Sequence, residues 1–377
     1  MEIIKGKYSS AIVFSNSAEP YALQQVKAIC DNKVSENCSV RVMCDIHPGK
    51  VAPIGLTMTL GKRILPYLVG LDIGCGMTSA RIVKHRGMEF KQPDSVIRNG
   101  VPSGFETRTN PHRFSTSFDF SRLECEKHIY KEKDMHSICT LGGGNHFIEI
   151  DRAETGEYYI TVHSGSRHLG KEVADFYLAE GRKALRKMLD NSEEQIAYEM
   201  TYIEGSLMQS YLHDVAVVQD FAELNRLAII DEIAKGMKWK TDEPFSCIHN
   251  YVDFRFEEPI LRKGAVSARK GEKVIVPINM KDGIILARGK GNADWNFSAP
   301  HGAGRVMNRE NVRKNFTVSA FKAEMKGIYS SCISKGTLDE APFAYRRIEE
   351  IKNAIEPTVE IESILKPVYN FKAESEA

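Results

Sequence analysis

Five short polar motifs stand at the ends of strand-like apolar runs, and they constrain the fold more than any other feature of the chain. They are Cys44-Asp45-Ile46-His47, Asp72-x-x-Cys75, Gly144-Asn145-His146, His163-Ser164-Gly165-Ser166-Arg167 and His249-Asn250. Most of them place a possible metal ligand beside glycine or a small residue, where the backbone can approach an ion or a phosphate closely. No internal repeat, low-complexity tract or long linker separates them. We therefore predict one domain over residues 1–377, with a metal-and-phosphate site at its strand ends.

Hydrophobic periodicity predicts an α+β chain in which strands alternate irregularly with two long helices. The predicted strands are residues 11–15, 39–45, 67–73, 80–83, 147–150, 158–162, 245–256, 272–278 and 283–287, with a final apolar run at 364–371. The predicted helices are residues 21–30, 171–189, 207–237, 305–315 and 344–354. The βαβ rhythm of a doubly wound fold is missing, and Gly142-Gly143-Gly144 leads into a strand-like run instead of a helix. This argues against a standard nucleotide-binding fold and favours mixed or antiparallel sheets surrounded by helices.

The charge balance limits the partners of the chain. With 51 Lys and Arg against 50 Asp and Glu, the net charge is +1. This argues against coating of long nucleic acid or of a membrane surface by bulk electrostatics, so a nucleic-acid contact should be short. No window approaches the ~20 apolar residues of a membrane span, and Met1-Glu2-Ile3-Ile4-Lys5 lacks the build of a signal peptide. We expect a cytosolic protein without a membrane partner.

The possible ligands indicate which metal the site would hold. One thiolate, from Cys75, with three imidazoles and one or two carboxylates suits Mn²⁺, Fe²⁺, Co²⁺ or Zn²⁺, whereas a thiolate is a poor ligand for Mg²⁺ or Ca²⁺. These ligands exceed what one catalytic ion with an open position needs, and two ions bridged by Cys75 would use them all. The alternative for each histidine alone is a hydrogen-bonded structural residue. Four histidines in charged or helical stretches are expected to face solvent without a role: His112, His128, His136 and His213.

A further motif is Ala299-Pro300-His301-Gly302-Ala303-Gly304-Arg305, which leads into the helix predicted at residues 305–315. A histidine at the entrance to a helix would meet phosphate at the positive end of the helix. A neutral imidazole can attack a phosphoryl group and form a phosphoramidate. The alternative is a loop histidine that caps the helix.

Together these motifs resemble those of the RtcB-type RNA ligases, also called tRNA-splicing ligases. The resemblance runs in family order over residues 40–372. The matching segments are Asp45-Ile46-His47-Pro48-Gly49, Ala52-Pro53-Ile54-Gly55, residues 69–77, 140–149 and 163–167, His249-Asn250, Arg262-Lys263-Gly264-Ala265, residues 301–307 and Asp339-Glu340-Ala341-Pro342-x-Ala344-Tyr345. The resemblance implies a single domain of the RtcB type with a dinuclear metal site.

It also implies a GTP- and Mn²⁺-dependent ligase that joins RNA ending in a 3′-phosphate or a 2′,3′-cyclic phosphate to RNA with a 5′-hydroxyl. His301 would be the nucleophile that takes GMP. One Mn²⁺ ion would be held by Asp72, Cys75 and His146, and the other by Cys75, His163 and His249. The residues expected to contact the nucleotide are Asn145, Glu149 as the reader of the base, Asn279, Gly304 and Lys372.

Basic side chains and one carboxylate complete the expected site. Arg167, Arg262 and Lys263 would hold RNA phosphates through charge-assisted bonds. Asp45 would help to deprotonate the incoming 5′-hydroxyl. Its alternative role is to orient a metal-ligating histidine.

One segment departs from the family pattern. Where the family has Pro-Gly-Ser-Met-Gly-Thr-x-Ser-Tyr against the guanine nucleotide, this chain has Pro277-Ile278-Asn279-Met280-Lys281-Asp282-Gly283-Ile284-Ile285. Asn279 can still form hydrogen bonds, but Ile284 cannot replace a serine hydroxyl. We therefore expect weaker discrimination between GTP and ATP, in a divergent and somewhat shorter RNA-repair branch of the family.

Two other functions fit parts of the sequence. A dinuclear metal phosphohydrolase or nuclease would use the same metal ligands, but it leaves His301 and Glu149 without a purpose. A non-catalytic protein that binds RNA ends would tolerate the loss of metal ligands, yet every matched ligand is present. The sequence identifies no activating protein, and we expect a monomer.

Overall fold

The computed structural model describes residues 1–85, 87–188 and 196–373, and its elements confirm the α+β composition. Within these ranges the strands are β1 (Glu2–Lys5), β2 (Ser10–Val13), β3 (Val40–His47), β4 (Ile54–Thr59), β5 (Arg63–Ile64), β6 (Gly76–Lys84), β7 (Phe147–Arg152), β8 (Tyr158–Ser164), β9 (Ile203–Glu204), β10 (Lys240–Thr241), β11 (Phe245–Ile248), β12 (Asn250–Asp253), β13 (Ile260–Lys263), β14 (Ala265–Ser267), β15 (Lys273–Asn279), β16 (Gly283–Gly289), β17 (Ser298–Pro300) and β18 (Val359–Lys372). The α-helices are α1 (Pro20–Cys30), α2 (Pro66–Val69), α3 (Lys91–Gly100), α4 (Lys131–Ser137), α5 (Arg167–Met188), α6 (Gly205–Met237), α7 (Arg309–Asn315), α8 (Val318–Glu324) and α9 (Ile348–Ile355).

Two larger β-sheets form the centre of the molecule. The first has the strand order β1-β2-β3-β4-β13-β12, and its neighbours are antiparallel except for the parallel pair β2 and β3. The second has the order β10-β6-β8-β7-β18-β16-β15, with β11 also paired to β6, and its pairs are antiparallel. The predicted combination of mixed and antiparallel sheets with helices around them is confirmed.

The chain passes from the second sheet to the first at His249. β11 pairs with β6 and ends at Ile248, whereas β12 begins at Asn250 and pairs with β13. The single strand predicted over residues 245–256 is therefore wrong, because the chain changes sheets inside that run. His249 lies at the junction, where its backbone N–H donates to the carbonyl of Cys75 at 2.8 Å.

The long helix α6 supports the second sheet and contacts β6, β8, α3 and α5. Its apolar side chains, such as Val218, Phe221 and Ile229, are closed to solvent. Burial of side chains of this size stabilises a fold by about 1.5–3 kcal/mol each. Two polar residues, Asn225 and Arg226, are also fully buried on this helix. Their partners are described with the site.

The segment that leads to Asp72 is helical where the sequence predicts a strand. Pro66–Val69 forms α2, with Pro66 in the first turn, where the missing N–H of proline costs no hydrogen bond. β6 then begins at Gly76. Asp72 and Cys75 therefore lie between a helix end and a strand start, and only one of the two predicted flanking strands exists.

The helix predicted at residues 305–315 begins later in the structure. α7 starts at Arg309, and the side chain of Asn308 caps it by accepting the N–H of Asn311 at 2.8 Å. His301 instead follows β17 directly, in a loop. The expected position of His301 at a helix entrance is wrong, and the helix-capping alternative falls with it.

Two other helices differ at their boundaries. The helix predicted at 344–354 begins at Ile348. The helix predicted at 171–189 begins at Arg167, and residue 189 lies outside the described residues. Among the described helices, none combines the length and the apolar character needed to cross a membrane.

Candidate metal centre and active site

Five expected metal ligands meet in two groups that share one thiol. The first ligand group is Asp72, Cys75 and His146, and the second ligand group is Cys75, His163 and His249; in each, the ligand atoms lie within 4.8 Å of one another. Cys75 Sγ lies 3.4 Å from Nε2 of both His146 and His163. His163 Nε2 lies 3.3 Å from His249 Nε2, and His146 Nε2 lies 3.1 Å from Asp72 Oδ2. The grouping is the expected one, and metal binding itself stays a prediction.

The hydrogen-bonded order of the strands brings these ligands together. β6 begins one residue after Cys75, β7 begins one residue after His146, β8 ends one residue after His163, and β11 ends one residue before His249. β6 pairs with both β8 and β11, and β8 pairs with β7, so the four ends lie side by side. Adjacent strands are only about 4.8 Å apart. One ligand from each end therefore reaches a common centre.

Backbone carbonyls hold the remaining ring nitrogens of two of the histidines. His146 Nδ1 lies 2.8 Å from the carbonyl oxygen of Leu141, and His163 Nδ1 lies 3.2 Å from that of Asn145. A carbonyl can only accept, so each Nδ1 carries a proton and Nε2 is the ring nitrogen left to face a cation. Such carbonyl contacts fix the tautomer and ring orientation of metal-ligating histidines. Both Nε2 atoms face Cys75.

Two buried polar residues of α6 hold the loops behind the ligands. The Asn225 side chain accepts the backbone N–H groups of Cys139 at 2.8 Å and Thr140 at 3.1 Å. The Arg226 guanidinium donates to the carbonyl of Gly74, next to Cys75, at 2.8 Å. Neither residue belongs to a motif that predicts the site. The one sign of them in the sequence is an adjacent polar pair inside a mostly apolar helical stretch.

Burial sets the protonation of the ligands. It lowers the pKa of His163 and His249 well below the usual range, so both imidazoles are neutral. Burial and the neighbouring Asp72 raise the pKa of the Cys75 thiol well above its usual range. Although burial opposes it, His146 lowers the pKa of Asp72 to about 2. A thiolate in this setting needs a cation beside it, so the donor set fits a divalent transition metal and not Mg²⁺ or Ca²⁺.

His301 lies beside the second ligand group. Its ring centroid is 4.9 Å from that of His249, and its Nδ1 lies 2.8 Å from Asp45 Oδ2. Asp45 is fully buried, and the same carboxylate oxygen accepts the N–H of Gly302 at 3.3 Å. The carboxylate keeps the imidazole proton on Nδ1 and leaves a lone pair on Nε2. Asp45 thus orients His301, which belongs to neither ligand group, and its expected part in deprotonating the 5′-hydroxyl stays a prediction.

One cavity joins His301 to the second ligand group and to the expected nucleotide contacts. Its walls include His301, His163 and His249, and also Asn145, Glu149, Asn279, Gly304 and Lys372. Gly304 has a φ of 70°, and a Cβ there would lie 3.1 Å from the Asp45 backbone. A larger residue would therefore push against the strand that carries Asp45.

Residues that the sequence analysis did not single out complete the cavity. Asn370 donates a hydrogen bond to Glu149, and Glu340 forms ion pairs with Lys372 and with Arg309. Burial raises the pKa of Glu149 to about 7. Although burial opposes it, Lys372 and the neighbouring arginines lower the pKa of Glu340 to about 2. Glu340 was visible only as part of a family motif, and Asn370 had no local signal.

The three basic residues expected to hold RNA phosphates have different surroundings. Arg262 is fully buried and donates to Asp253 at 2.7 Å and to Ser298 at 2.8 Å. It has no surface for RNA, so that expectation is wrong. Lys263 is 7% exposed, and burial lowers its pKa to about 8. Arg167 is partly exposed at the start of α5. Lys263 and Arg167 stay candidates for a phosphate contact.

The histidines expected to face solvent divide into two pairs. His128 and His213 are exposed. His112 is only 5% exposed, with its Nε2 3.5 Å from a Glu232 oxygen, and His136 is half-buried. The expectation is wrong for His112. Its local sequence does not reveal that α6, which carries Glu232, covers it.

The segment that departs from the family pattern spans the turn between β15 and β16. Asn279 lines the cavity, but its amide donates to Asp282 at 2.9 Å. Ile284 is 1% exposed and packs in the same apolar cluster as Leu365. A serine at this position would face the core as well. The presence of Ile284 is therefore no reason to expect weaker discrimination between GTP and ATP. That expectation now depends on Asn279 alone.

Comparisons with known proteins find relatives over most of the chain. The family profile described as tRNA-splicing ligase RtcB matches residues 25–120 and 94–373. An RNA-splicing ligase RtcB from Escherichia coli K12 is 31% identical over 371 residues, which cover 87% of this chain and 88% of the relative. A tRNA-splicing ligase RtcB from Aeropyrum pernix is 26% identical over 398 residues, which cover 82% of each chain. The residues matched by the family profile span the positions of the two ligand groups and of His301.

Proposed function

This chain belongs to the RtcB family of tRNA-splicing ligases, and on that basis we propose that it is an RNA ligase that uses GTP and two Mn²⁺ ions. The proposed substrates are an RNA 3′-phosphate or 2′,3′-cyclic phosphate end and a 5′-hydroxyl end, in the cytosol. One observation carries the proposal: the pair of Asp45 and His301 lies beside a thiol shared by two ligand groups and opens on one cavity with Glu149.

The proposed reaction has three phosphoryl-transfer steps. In the first, Nε2 of His301 attacks the α-phosphorus of GTP, forms a P–N bond and releases pyrophosphate. A 2′,3′-cyclic end is first opened by water, which breaks the P–O2′ bond and leaves a 3′-phosphate and a 2′-hydroxyl. In the second transfer, an oxygen of the RNA 3′-phosphate attacks the same phosphorus and frees the imidazole. In the third, the 5′-hydroxyl oxygen attacks the 3′-phosphate, loses its proton and releases GMP. His301 is a covalent partner in the first two steps only.

Asp45 prepares His301 for the first step. Its bond to Nδ1 holds the imidazole in the tautomer whose Nε2 can attack. The carboxylate also stabilises the positive charge that the ring acquires as the P–N bond forms. This role parallels that of the aspartate in a hydrolase triad, where the carboxylate sets the tautomer and does not take the proton.

The two ligand groups would hold the cations. Asp72 and His146 would complete one site with Cys75, and His163 and His249 would complete the other. Bound there, the cations would supply positive charge against phosphoryl oxygens. The imidazoles of His163 and His249, which are buried and neutral, offer lone pairs without adding charge of their own.

Glu149 is the proposed reader of the guanine base. One of its oxygens accepts from Asn370. The buried Asp151 carboxyl, whose pKa is raised well above its usual value by burial and by Glu149, lies beside Glu149. A guanine edge presents two N–H groups that a carboxylate can accept, whereas the matching edge of adenine does not.

Lys263 is the better placed of the two candidate contacts to RNA phosphate. Its side chain is buried, and among the described residues it forms no ion pair. Burial disfavours its charged form, and a phosphate beside it would restore the charge. Arg167 already donates to the carbonyl of Gly104 at 2.7 Å, so part of its hydrogen-bonding capacity is used within the chain.

Incubation of the full chain with labelled GTP and Mn²⁺ tests the proposal. We expect a protein–GMP adduct that is labile in acid and stable in alkali, and that is discharged by RNA with a 3′-phosphate. Labelled ATP, tested beside it, measures the discrimination between the two nucleotides. A dinuclear phosphohydrolase or nuclease would instead release phosphate or cut RNA without forming an adduct, and that result would replace the proposal.

Replacing Asp45 by asparagine should slow adduct formation by on the order of 10³-fold while leaving the metal content unchanged. The amide is nearly the same size as the carboxylate, but it lacks the negative charge and can donate to Nδ1, which favours the wrong tautomer of His301. Rapid-quench measurement of the adduct, with metal analysis of the same sample, checks this. A variant that forms the adduct at the normal rate would show that the Asp45–His301 bond is only structural.

Binding of guanosine should weaken as the pH falls below about 7. Burial raises the pKa of Glu149 to about 7, and the pKa of the adjoining Asp151 is raised further, by burial and by Glu149. Of this pair, the Glu149 carboxylate is therefore the group present above about pH 7 and protonated below it. Each further pH unit should then cost up to about tenfold in affinity. Calorimetric titration with guanosine, which has no titrating phosphate, measures this. Glu149→Gln should bind weakly at every pH, and an affinity of the wild type that does not change with pH would contradict the role of Glu149.

A further inference from the structure

A second cluster of possible ligands lies between α4 and α5, outside the two ligand groups. It consists of Asp134 on α4 with His168 and Glu172 on the first turns of α5, and its ligand atoms lie within 4.8 Å of one another. His168 Nδ1 is 2.9 Å from Glu172 Oε1 and 3.7 Å from Asp134 Oδ1. His168 and Glu172 are four residues apart, so one helix face presents both.

Asp134 supplies the unpaired polar atoms of this cluster. It is fully buried, and neither of its carboxylate oxygens has a hydrogen-bond partner among the described residues. Glu172 Oε1 and His168 Nδ1 lie 2.9 Å apart, but they form no well-directed hydrogen bond with each other or with another described residue. The other oxygen of Glu172 accepts the backbone N–H of Tyr130 at 3.0 Å, which holds Oε1 towards Asp134. Leaving such groups buried and unpaired is costly.

No lysine or arginine pairs with the two carboxylates in the described part of the chain. The nearby Lys171 is paired with Asp175. Burial and the neighbouring Glu172 raise the pKa of Asp134 to about 8. Two carboxylates and one imidazole are thus gathered in a poorly solvated place without a lysine or arginine partner.

Another cluster of similar composition shows the contrast. His112, Cys139 and Glu232 also have ligand atoms within 4.8 Å of one another. There the guanidinium of Arg108 lies 3.5 Å from Cys139 Sγ and 3.9 Å from a Glu232 oxygen. The chain itself supplies the positive charge, and no ion is needed.

We propose that Asp134, His168 and Glu172 bind one divalent transition-metal cation, Zn²⁺ or Mn²⁺, at a site separate from the proposed catalytic pair. One imidazole and two carboxylates are a donor set for these ions, and three protein ligands leave room for water. Bonds of about 2.0–2.2 Å require only a small inward movement of the three side chains. The side chain of His168 is 30% exposed, which gives an ion a path from solvent.

The ion would join α4 to the start of α5. Arg167, the candidate phosphate contact, immediately precedes His168 and has a φ of 56°, in the left-handed region. An ion on His168 and Glu172 would therefore brace the turn that presents Arg167. The site would act through this bracing and would take no part in the chemistry at His301.

Metal analysis of the full chain tests the proposal. Wild type and variants are stripped of metal, loaded with Zn²⁺, desalted and analysed for ions per chain. His168→Ala and Asp134→Asn should each hold one ion fewer than the wild type, and loading should raise the melting temperature of the wild type more than theirs. His128 is an exposed histidine that stacks on Phe176 of α5. The control variant His128→Ala should hold as many ions as the wild type.

A second measurement separates this site from the proposed catalytic metals. Cys75→Ala should keep the ion at Asp134, and Cys75→Ala combined with His168→Ala should lose it, whether or not the ligase proposal holds. The competing account is a proton shared by the Asp134 and Glu172 carboxyls. It predicts equal numbers of ions in wild type, His168→Ala and Asp134→Asn, and that result would overturn the proposal. Because Asp134→Asn is nearly isosteric, it keeps the test valid if His168→Ala folds poorly.

Discussion

A His301→Ala protein should form no GMP adduct with GTP, yet it should still seal RNA that carries a 3′-guanylylated pyrophosphate end. The imidazole is a covalent partner only until GMP has moved to the RNA. The last step needs charge stabilisation at phosphorus and no nucleophile from the protein. Sealing is measured on both substrates, as joined RNA per unit time, with saturating Mn²⁺.

The structure determines the control for this experiment. Removing His301 leaves the buried Asp45 without its 2.8 Å partner, which costs about 1–3 kcal/mol of stability. Thermal melting must therefore accompany the assay, and His301→Gln, which can still donate to Asp45, serves as the matched variant. If both variants are as inactive on activated RNA as on GTP, His301 has a role in the final step.

Cys75→Ala should abolish both adduct formation and the sealing of activated RNA. Its thiol is the one atom shared by the two ligand groups, 3.4 Å from Nε2 of His146 and of His163. Losing a single charge-stabilising group already costs on the order of 10²–10³-fold, and this substitution weakens both cation sites. It should therefore remove two ions per chain relative to the wild type.

Variants of the unshared ligands provide the comparison. His146→Ala and His163→Ala should each lose one ion and retain more activity than Cys75→Ala. Metal analysis and ligation assays on the three proteins, at equal folded fraction, decide between the alternatives. If Cys75→Ala loses no more ions than His146→Ala, Cys75 does not bridge two sites.

The expectations for Arg262 and His112 failed because burial and ion pairing depend on how distant segments pack. Arg262 looks like a phosphate contact because it stands in Arg262-Lys263-Gly264-Ala265, yet its partner Asp253 lies across a strand pair and holds it in the core. His112 looks exposed because its neighbours in sequence are polar, yet α6 covers it. Burial depends on which elements pack together, and a local pattern of polar residues does not report that.

The sequence by itself determined the types of chemical group and the general fold. The ligands of the two groups can be identified from the sequence, because each side chain carries its own donor atom and stands in a short glycine-flanked motif. His301 can be identified for the same reason. Hydrophobic periodicity is enough to indicate an α+β chain. These properties depend on residues that are close together along the chain.

Only the tertiary structure decided which groups act on one another. The partnership of Asp45 with His301 joins residues 256 positions apart, and it depends on the register and packing of separate strands. Three other features also depend on contacts between distant segments: the crossing of the chain between sheets at His249, the hydrogen bond from Asn370 to Glu149, and the unpaired Asp134 beside His168. Each is set by long-range pairing and by the burial that pairing produces, because a contact between distant segments has no local signature in the sequence.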